Sequence, residues 1–219
     1  MKTVLLTGAS GGLGLALSQT LLEQGYFVYL HYHHQRKALE ALHAKYPNYS
    51  KLIQADFACA EDLLRLKEQI DRPLDILINN AAIEHLGPLE EKTMETMHQI
   101  FQINTVAPFL LMKQFASEIE KREGSIINIS SDNTIDKYDE VTLEYDVSKA
   151  GLNLLSKSFA RIYPKAKINA ICFGWLDTPM NDFPEDIKKD MPFIPLDKAV
   201  SKIITYIKTN ETGKVDVCQ

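Results

Sequence analysis

The chain has 219 residues, 45% of them hydrophobic, and a formal net charge of -5. That is enough for one α/β domain with a sizeable core, and the composition excludes a collagen, a coiled coil or a disordered tail. The acidic balance, with no Lys/Arg run longer than two, argues against nucleic acid as a partner, and the widely spaced Cys59, Cys172 and Cys218 read as reduced thiols of a cytoplasmic protein.

Taken in chain order, the opening MKTVLLTGASGGLGLALS sets a lysine before an apolar run, as a secretory signal does. Glycines break that run, and no other stretch has the length a bilayer crossing needs, so a soluble protein with no membrane partner is expected. KTVLL reads as a first strand and GLALSQTLLEQG as a first helix; YFVYLHY and QRKALEALHAKY, then KLIQAD and AEDLLRLKEQI, repeat the alternation. DILINN precedes one long helical pattern, EKTMETMHQIFQINTVAPFLLMKQFASEIEKR, and SIINISS leads to a helix carrying EYDVSKAGLNLL. KINAICFG is followed by a lid-like irregular stretch, 176–195, then by the helical LDKAVSKIITYIK and the strand KVDVC. Several strands are apolar at consecutive positions, which marks burial on both faces of a parallel sheet. Strands alternating with helices predict a doubly wound, three-layer α/β sheet of about seven strands, in one domain over residues 1–219.

In such sheets ligands bind just beyond the carboxyl ends of the strands. After the first strand stands TGASGGLG, with Thr7, Gly8, Gly12 and Gly14. Glycine lets the backbone approach a phosphate, and the following helix offers free N–H groups and the positive end of its dipole. Leu13 and the lack of a lysine after Gly14 exclude a Walker A loop, and the spacing is GxxxGxG rather than GxGxxG. Tyr145 and Lys149, four residues apart, share a helix face, so an ammonium can lie beside a phenol whose ordinary pKa is about 10. The cation is expected to lower that pKa and ready the phenol for proton transfer. Pro108, four residues after Asn104, removes the N–H that would bond the Asn104 carbonyl, so a bend or bulge is expected there. His31 and His33 share one strand face and admit a metal-site reading, but no Asp, Glu or Cys stands nearby at ligand spacing, and a solvated strand end is the commoner explanation.

These motifs together resemble the short-chain dehydrogenase/reductase family over nearly the whole chain. TGASGGLG looks like its TGxxxGxG loop, NNAA (Asn79 to Ala82) like its NNAG, and NISS followed by YDVSK like its catalytic serine and YxxxK. The resemblance implies a Rossmann-like fold and NAD(P)(H)-dependent interconversion of a carbonyl and a secondary alcohol. It assigns catalysis to Ser131, Tyr145, Lys149 and Asn104, with Lys149 also holding the nicotinamide ribose and the Asn104 carbonyl binding a water that leads to Lys149. It assigns the dinucleotide to Thr7, Gly8, Ser10, Gly12, Leu13, Gly14, Asp56, Phe57, Asn80, Ala81, Gly174 and Thr178, beside Tyr145 and Lys149. No carboxylate ends the second strand, and His33, His34, Arg36 and Lys37 stand there instead, so NADP(H) is preferred, with NAD(H) the alternative.

Three features depart from the family. The Ser131 to Tyr145 spacing is one residue longer than the commonest pattern and Ser130 is adjacent, Phe173-Gly174 replaces the usual Pro-Gly, and TGKVDVCQ stops where longer relatives continue. The last argues for a homodimer, through the Asn104 and Tyr145 helices, rather than a tetramer. The expected pocket wall comprises Ile83, Glu84, His85, Asp132, Asn133, Tyr138, Trp175, Leu176, Met180 and Phe183, which does not name the small-molecule carbonyl or alcohol. Two alternatives stay open: a 3-oxoacyl-carrier reductase, for which the acidic chain offers little docking surface, and a nucleotide-binding sensor or assembly protein without turnover.

Overall fold

The computed structural model describes residues 1–136, 140–181, 189 and 191–218. Its strands are β1 (Thr3–Leu6), β2 (Phe27–Tyr32), β3 (Ser50–Gln54), β4 (Ile76–Asn79), β5 (Ser125–Ser131), β6 (Lys167–Phe173) and β7 (Val215–Cys218). They form one parallel sheet in the order β3-β2-β1-β4-β5-β6-β7. The direction of winding reverses between β1 and β4, so a crevice opens beyond their carboxyl ends.

The unbroken apolar runs have the cause expected of them. Successive side chains of a strand point to opposite faces, and here both faces are covered. Val4 and Leu6 of β1 pack with α1 (Gly12–Glu23), α2 (Lys37–Lys45) and α8 (Leu196–Lys208), through Leu17, Leu21, Leu39, Ile203 and Ile207. Leu5, between them, faces α3 (Ala60–Gln69), α5 (Ala107–Lys121) and α7 (Leu143–Ile162), through Leu63, Leu66, Leu111, Phe115 and Phe159.

The long helical pattern before β5 is divided in the folded chain. Residues Leu89–Glu91 form a 3₁₀ turn, and α4 (Met94–Phe101) starts at Thr93, whose side chain accepts from the Thr96 N–H in a capping box. Gln102–Val106 is a π-helical turn, and α5 begins with Pro108 at its first turn. The bulge expected from Asn104 and Pro108 is this wider turn. In the lid-like stretch, Pro179–Asn181 is a 3₁₀ turn and Leu176 bridges to Ile194, while 182–188 and 190 lie outside the described residues. A four-residue helix, α6 (Asn133–Asp136), follows β5. No described helix is long and apolar enough to cross a membrane.

A buried polar relay fixes α7 to the sheet. Asn79 Nδ2 donates to Asn128 Oδ1 at 2.7 Å, Asn128 Nδ2 donates to Ser156 Oγ at 2.8 Å, and Ser156 Oγ donates to the Leu152 carbonyl at 2.8 Å. Asn128 is fully buried, so deleting its amide strands polar partners that water cannot reach. Asn128→Ala is therefore expected to lower the urea-unfolding free energy by about 1–3 kcal/mol with an unchanged m-value; a wild-type midpoint would contradict the relay's contribution.

Candidate active site

The glycine loop is shaped from beneath by the β4 end. Thr7 Oγ1 accepts the N–H groups of Asn80 (2.9 Å) and Ala81 (3.0 Å), and Asn80 Nδ2 donates to the carbonyls of Thr7 (2.9 Å) and Gly8 (3.1 Å). Gly8 has φ of +62°, and a Cβ there would lie 2.8 Å from the Ala81 Cα. A Cβ on Gly14 would strike the Gly8 carbonyl, and one on Gly12 would meet Thr178 Cγ2 at 2.7 Å. These residues therefore hold a tight loop whose Ser10, Gly12, Leu13 and Gly14 line a cavity of 540 Å³. The first turn of α1 lines this cavity, with no side-chain cap at Gly11 and no acidic residue among its first residues.

His31 carries a role that the sequence did not disclose. The Gly8 N–H donates to its Nδ1 at 3.1 Å, and this acceptor fixes the tautomer, so Nε2–H donates to the Ala55 carbonyl at 3.1 Å. Its ring stacks on Phe57 with centroids 4.1 Å apart. Both ring nitrogens are thus engaged within the fold, which replaces the metal-site reading for His31, and among the described residues no group of three or more His, Cys, Asp or Glu could hold a metal. A buried apolar strand in sequence gives no sign that one member bridges two loops.

Further along this wall, His33 and His34 line the cavity with Gln35, Asp56 and Phe57. The two imidazoles lie 3.4 Å apart between centroids, and His33 Nε2 is 3.5 Å from Asp56 Oδ2. Arg36 is placed differently from expectation: its Nε pairs with Glu40 at 2.8 Å, one turn along α2, and it is not part of the cavity wall. The i,i+4 helix spacing gives the guanidinium a closer partner than the cavity does.

Ser131, Tyr145, Lys149 and Gly174 line the same cavity, as does Thr178, which lies against Gly12 of the glycine loop. Ser131 Oγ accepts from the Asn133 N–H at 3.3 Å, whereas Ser130 Oγ, which also lines the cavity, donates to the Lys149 carbonyl of α7 at 3.4 Å. Lys149 is 2% exposed; its Nζ lies 5.5 Å from the Tyr145 ring centroid and donates to the Ile129 carbonyl at 2.8 Å. The Asn104 side chain accepts from the Ile83 N–H at 2.9 Å and donates to the Ile83 carbonyl at 2.8 Å and to Ser148 Oγ at 3.1 Å. Ser148 Oγ in turn donates to the Tyr145 carbonyl at 2.7 Å.

The electrostatics correct one expectation. Burial raises the Tyr145 pKa above the ordinary phenol range, and the charges of Glu84, Asp146 and Asp132 raise it further. Burial also lowers Lys149 to about 8, so the ammonium is itself weakened and does not pull the phenol down as its spacing suggested. Glu84 is pushed up to about 7 by burial and then by Asp146, against the opposing pull of Lys149. In this state the phenol keeps its proton throughout the neutral range. Of the expected wall, Ile83, Glu84, Asp132, Asn133, Trp175, Leu176 and Met180 line the cavity and Thr142 joins them; His85 lies off it, and Tyr138 and Phe183 fall outside the described residues.

Burial of the neutral His31 ring lowers its pKa from 6.5 to about 4. The unfolded chain binds this proton where the folded chain does not, so stability is lost as pH falls through that window, by up to about 3 kcal/mol. Urea-unfolding free energies of His31→Gln are expected to vary less between pH 7 and 4 than those of wild type; equal slopes would contradict this.

The family described as short chain dehydrogenase matches residues 2–188. An uncharacterized oxidoreductase of Bacillus subtilis (strain 168), YmfI, is 28% identical over 205 residues, spanning 87% of this chain and 84% of the relative. Among solved structures, a blue fluorescent protein from a metagenomic library in complex with NADPH superposes with a TM-score of 0.91 at 24% identity, over 100% of this chain and 96% of that one. 4-Hydroxyisoleucine dehydrogenase complexed with NADH superposes with 0.89 at 23% identity, over 100% and 97% of the two chains. At these identities the two structures speak for the fold. The matched span, together with the strand order and the loops that follow each strand, establishes that this chain belongs to the short-chain dehydrogenase family of oxidoreductases.

Proposed function

We propose that the protein reduces a small-molecule carbonyl to a secondary alcohol with NADPH, Tyr145 acting as the proton donor. The observation that carries this reading is the Tyr145–Lys149 pair in the cavity whose other end is the glycine loop. That loop fits a dinucleotide: added Cβ atoms at Gly8, Gly12 or Gly14 would meet neighbouring atoms, and the uncapped start of α1 offers N–H groups to a phosphate. Ser10, Gly12, Leu13 and Gly14 would hold the pyrophosphate, Asp56, Phe57, Asn80 and Ala81 the adenosine half, and Gly174, Thr178 and Lys149 the nicotinamide half. His33 and His34 support NADP(H) over NAD(H), because both line the cavity where a 2'-phosphate would need neutral or positive company. When bound, the nicotinamide supplies the hydride.

The chain's own residues handle the proton. Ser131 Oγ donates to the substrate oxygen and orients it. Tyr145, held protonated by burial and by its carboxylate neighbours, gives its proton as negative charge develops on that oxygen. Lys149 places positive charge under the resulting phenolate, and the Asn104 carbonyl, in the π turn, leads a replacement proton toward Lys149 through water. The reading is of a cytoplasmic homodimer. Exposed Val106 at the end of the π turn, Phe109 in the first turn of α5, and Val147, Leu154 and Ile162 on α7 support an apolar contact between copies.

Two measurements test the assignment. Tyr145→Phe is expected to lower kcat for carbonyl reduction by about 10²- to 10⁴-fold with NADPH affinity unchanged; a wild-type rate in a screen of carbonyls would remove Tyr145 from the chemistry. Lys149 holds its charge below about pH 8 and loses it above, so kcat/KM for reduction should fall as pH rises past that value. A profile flat to pH 10 would contradict the need for the ammonium.

A further inference from the structure

The residue just before Tyr145 is a carboxylate with no access to water. Glu144, in the first turn of α7, is fully buried. Its Oε1 accepts from Thr96 Oγ1 of α4 at 2.5 Å, and its Oε2 has no hydrogen-bond partner among the described residues. The nearest cation is Lys92, 7% exposed at the side chain, with Nζ 3.6 Å from Oε2; His85 Nδ1 lies 3.9 Å away. Lys92 spends its hydrogen bonds elsewhere, on the carbonyls of His85 (2.7 Å) and Val141 (2.9 Å), and the Gly87 N–H also donates to Val141 at 3.3 Å.

A buried ion pair is a poor source of stability, since apolar residues of similar size hold a fold as well or better. The position of this one suggests another use. The segment from Ile83 to Gly87 has no regular structure of its own and carries Glu84 on the cavity wall. The Asn104 side chain grips it at Ile83, and Lys92 and Val141 grip it at His85 and Gly87. Val141 immediately precedes Thr142 of the cavity wall and the first turn of α7. Lys92 thus joins the loop carrying Glu84 to the helix turn carrying Tyr145.

We propose that Lys92 is a positioning residue whose buried ammonium, bound to His85, Val141 and Glu144, holds Tyr145 and the Ile83–Gly87 wall in reactive register. It rests on the reading of Tyr145 as proton donor. Displacement of a reacting group by about 1 Å costs on the order of 10²-fold in rate, which sets the scale of the effect.

The test compares wild type, Lys92→Met, the double variant Lys92→Met/Glu144→Gln, and Tyr145→Phe. Lys92→Met leaves a buried carboxylate unpaired and should lower Tm by about 10 °C; the double variant, which removes both charges and keeps the Thr96 acceptor, should recover most of that. kcat for carbonyl reduction should fall about 10- to 100-fold in both variants, with the KM for NADPH unchanged. In both, the amides of Gly87 and Asp146, bonded to Val141 and Thr142, should exchange hydrogen faster while Ala170 of β6 stays protected. Recovery of kcat together with Tm in the double variant would reduce Lys92 to a structural role and overturn the proposal. So would unchanged exchange at Gly87 and Asp146, a readout that holds whether or not a substrate is found. Full activity in Tyr145→Phe would instead overturn the proton-donor reading, leaving exchange to decide whether Lys92 clamps the two segments.

Discussion

An ammonium taken out of water needs acceptors at hydrogen-bond distance, and the placement of Lys149 follows from that need. Its Nζ finds the Ile129 carbonyl near the end of β5, which fixes the height of α7 above the sheet. The Asn128–Ser156 bond and the Ser130 bond to the Lys149 carbonyl hold the same helix to the same strand. With α7 in this register, Tyr145 faces the cavity and Ser131, at the next step of β5, faces it as well. One buried cation therefore coordinates the strand, the helix and the phenol.

The charges around that cation act differently from the simple picture of a lysine acidifying a tyrosine. Burial first, and then Glu84, Asp146 and Asp132, raise the phenol's pKa, and burial lowers that of the lysine. A protonated phenol beside a weakened ammonium suits donation to an oxygen gaining negative charge, since the proton is already where the step needs it. In the proposed reaction Lys149 matters most after transfer, when a phenolate must be held.

Much of this was legible in the sequence because it depends on local pattern. Runs such as FVYL in β2 and ILI in β4 are apolar at consecutive positions because helices cover both faces of the sheet, and the i,i+4 spacing of Tyr145 and Lys149 needs only a helix to become a contact. The π turn at Gln102–Val106 was foreseeable from Pro108. What stayed hidden depends on segments far apart in the chain. His31 looks like a member of a strand until Gly8 and Ala55 arrive at its two nitrogens. Lys92 looks like a surface charge until Val141 and Glu144 close over it. Arg36 pairs with Glu40, one turn away on its own helix, a local partner that the i,i+4 spacing already offered. The sign of the pKa shift at Tyr145 was missed because it comes first from burial of the phenol in the folded chain and then from charges such as Glu84 and Asp132 that approach from other segments.

The central claim is that a buried, weakened ammonium lies beside the Tyr145 phenol, and the most direct measurement is the titration of Lys149 itself. Selective ¹⁵N labelling of lysine side chains, with Lys149→Met to assign the signal, follows its Nζ by NMR as pH is raised in the nucleotide-free protein. The account predicts a midpoint of about 8, far below that of surface lysines. A midpoint at the ordinary 10.5 would place the ammonium in water and contradict it.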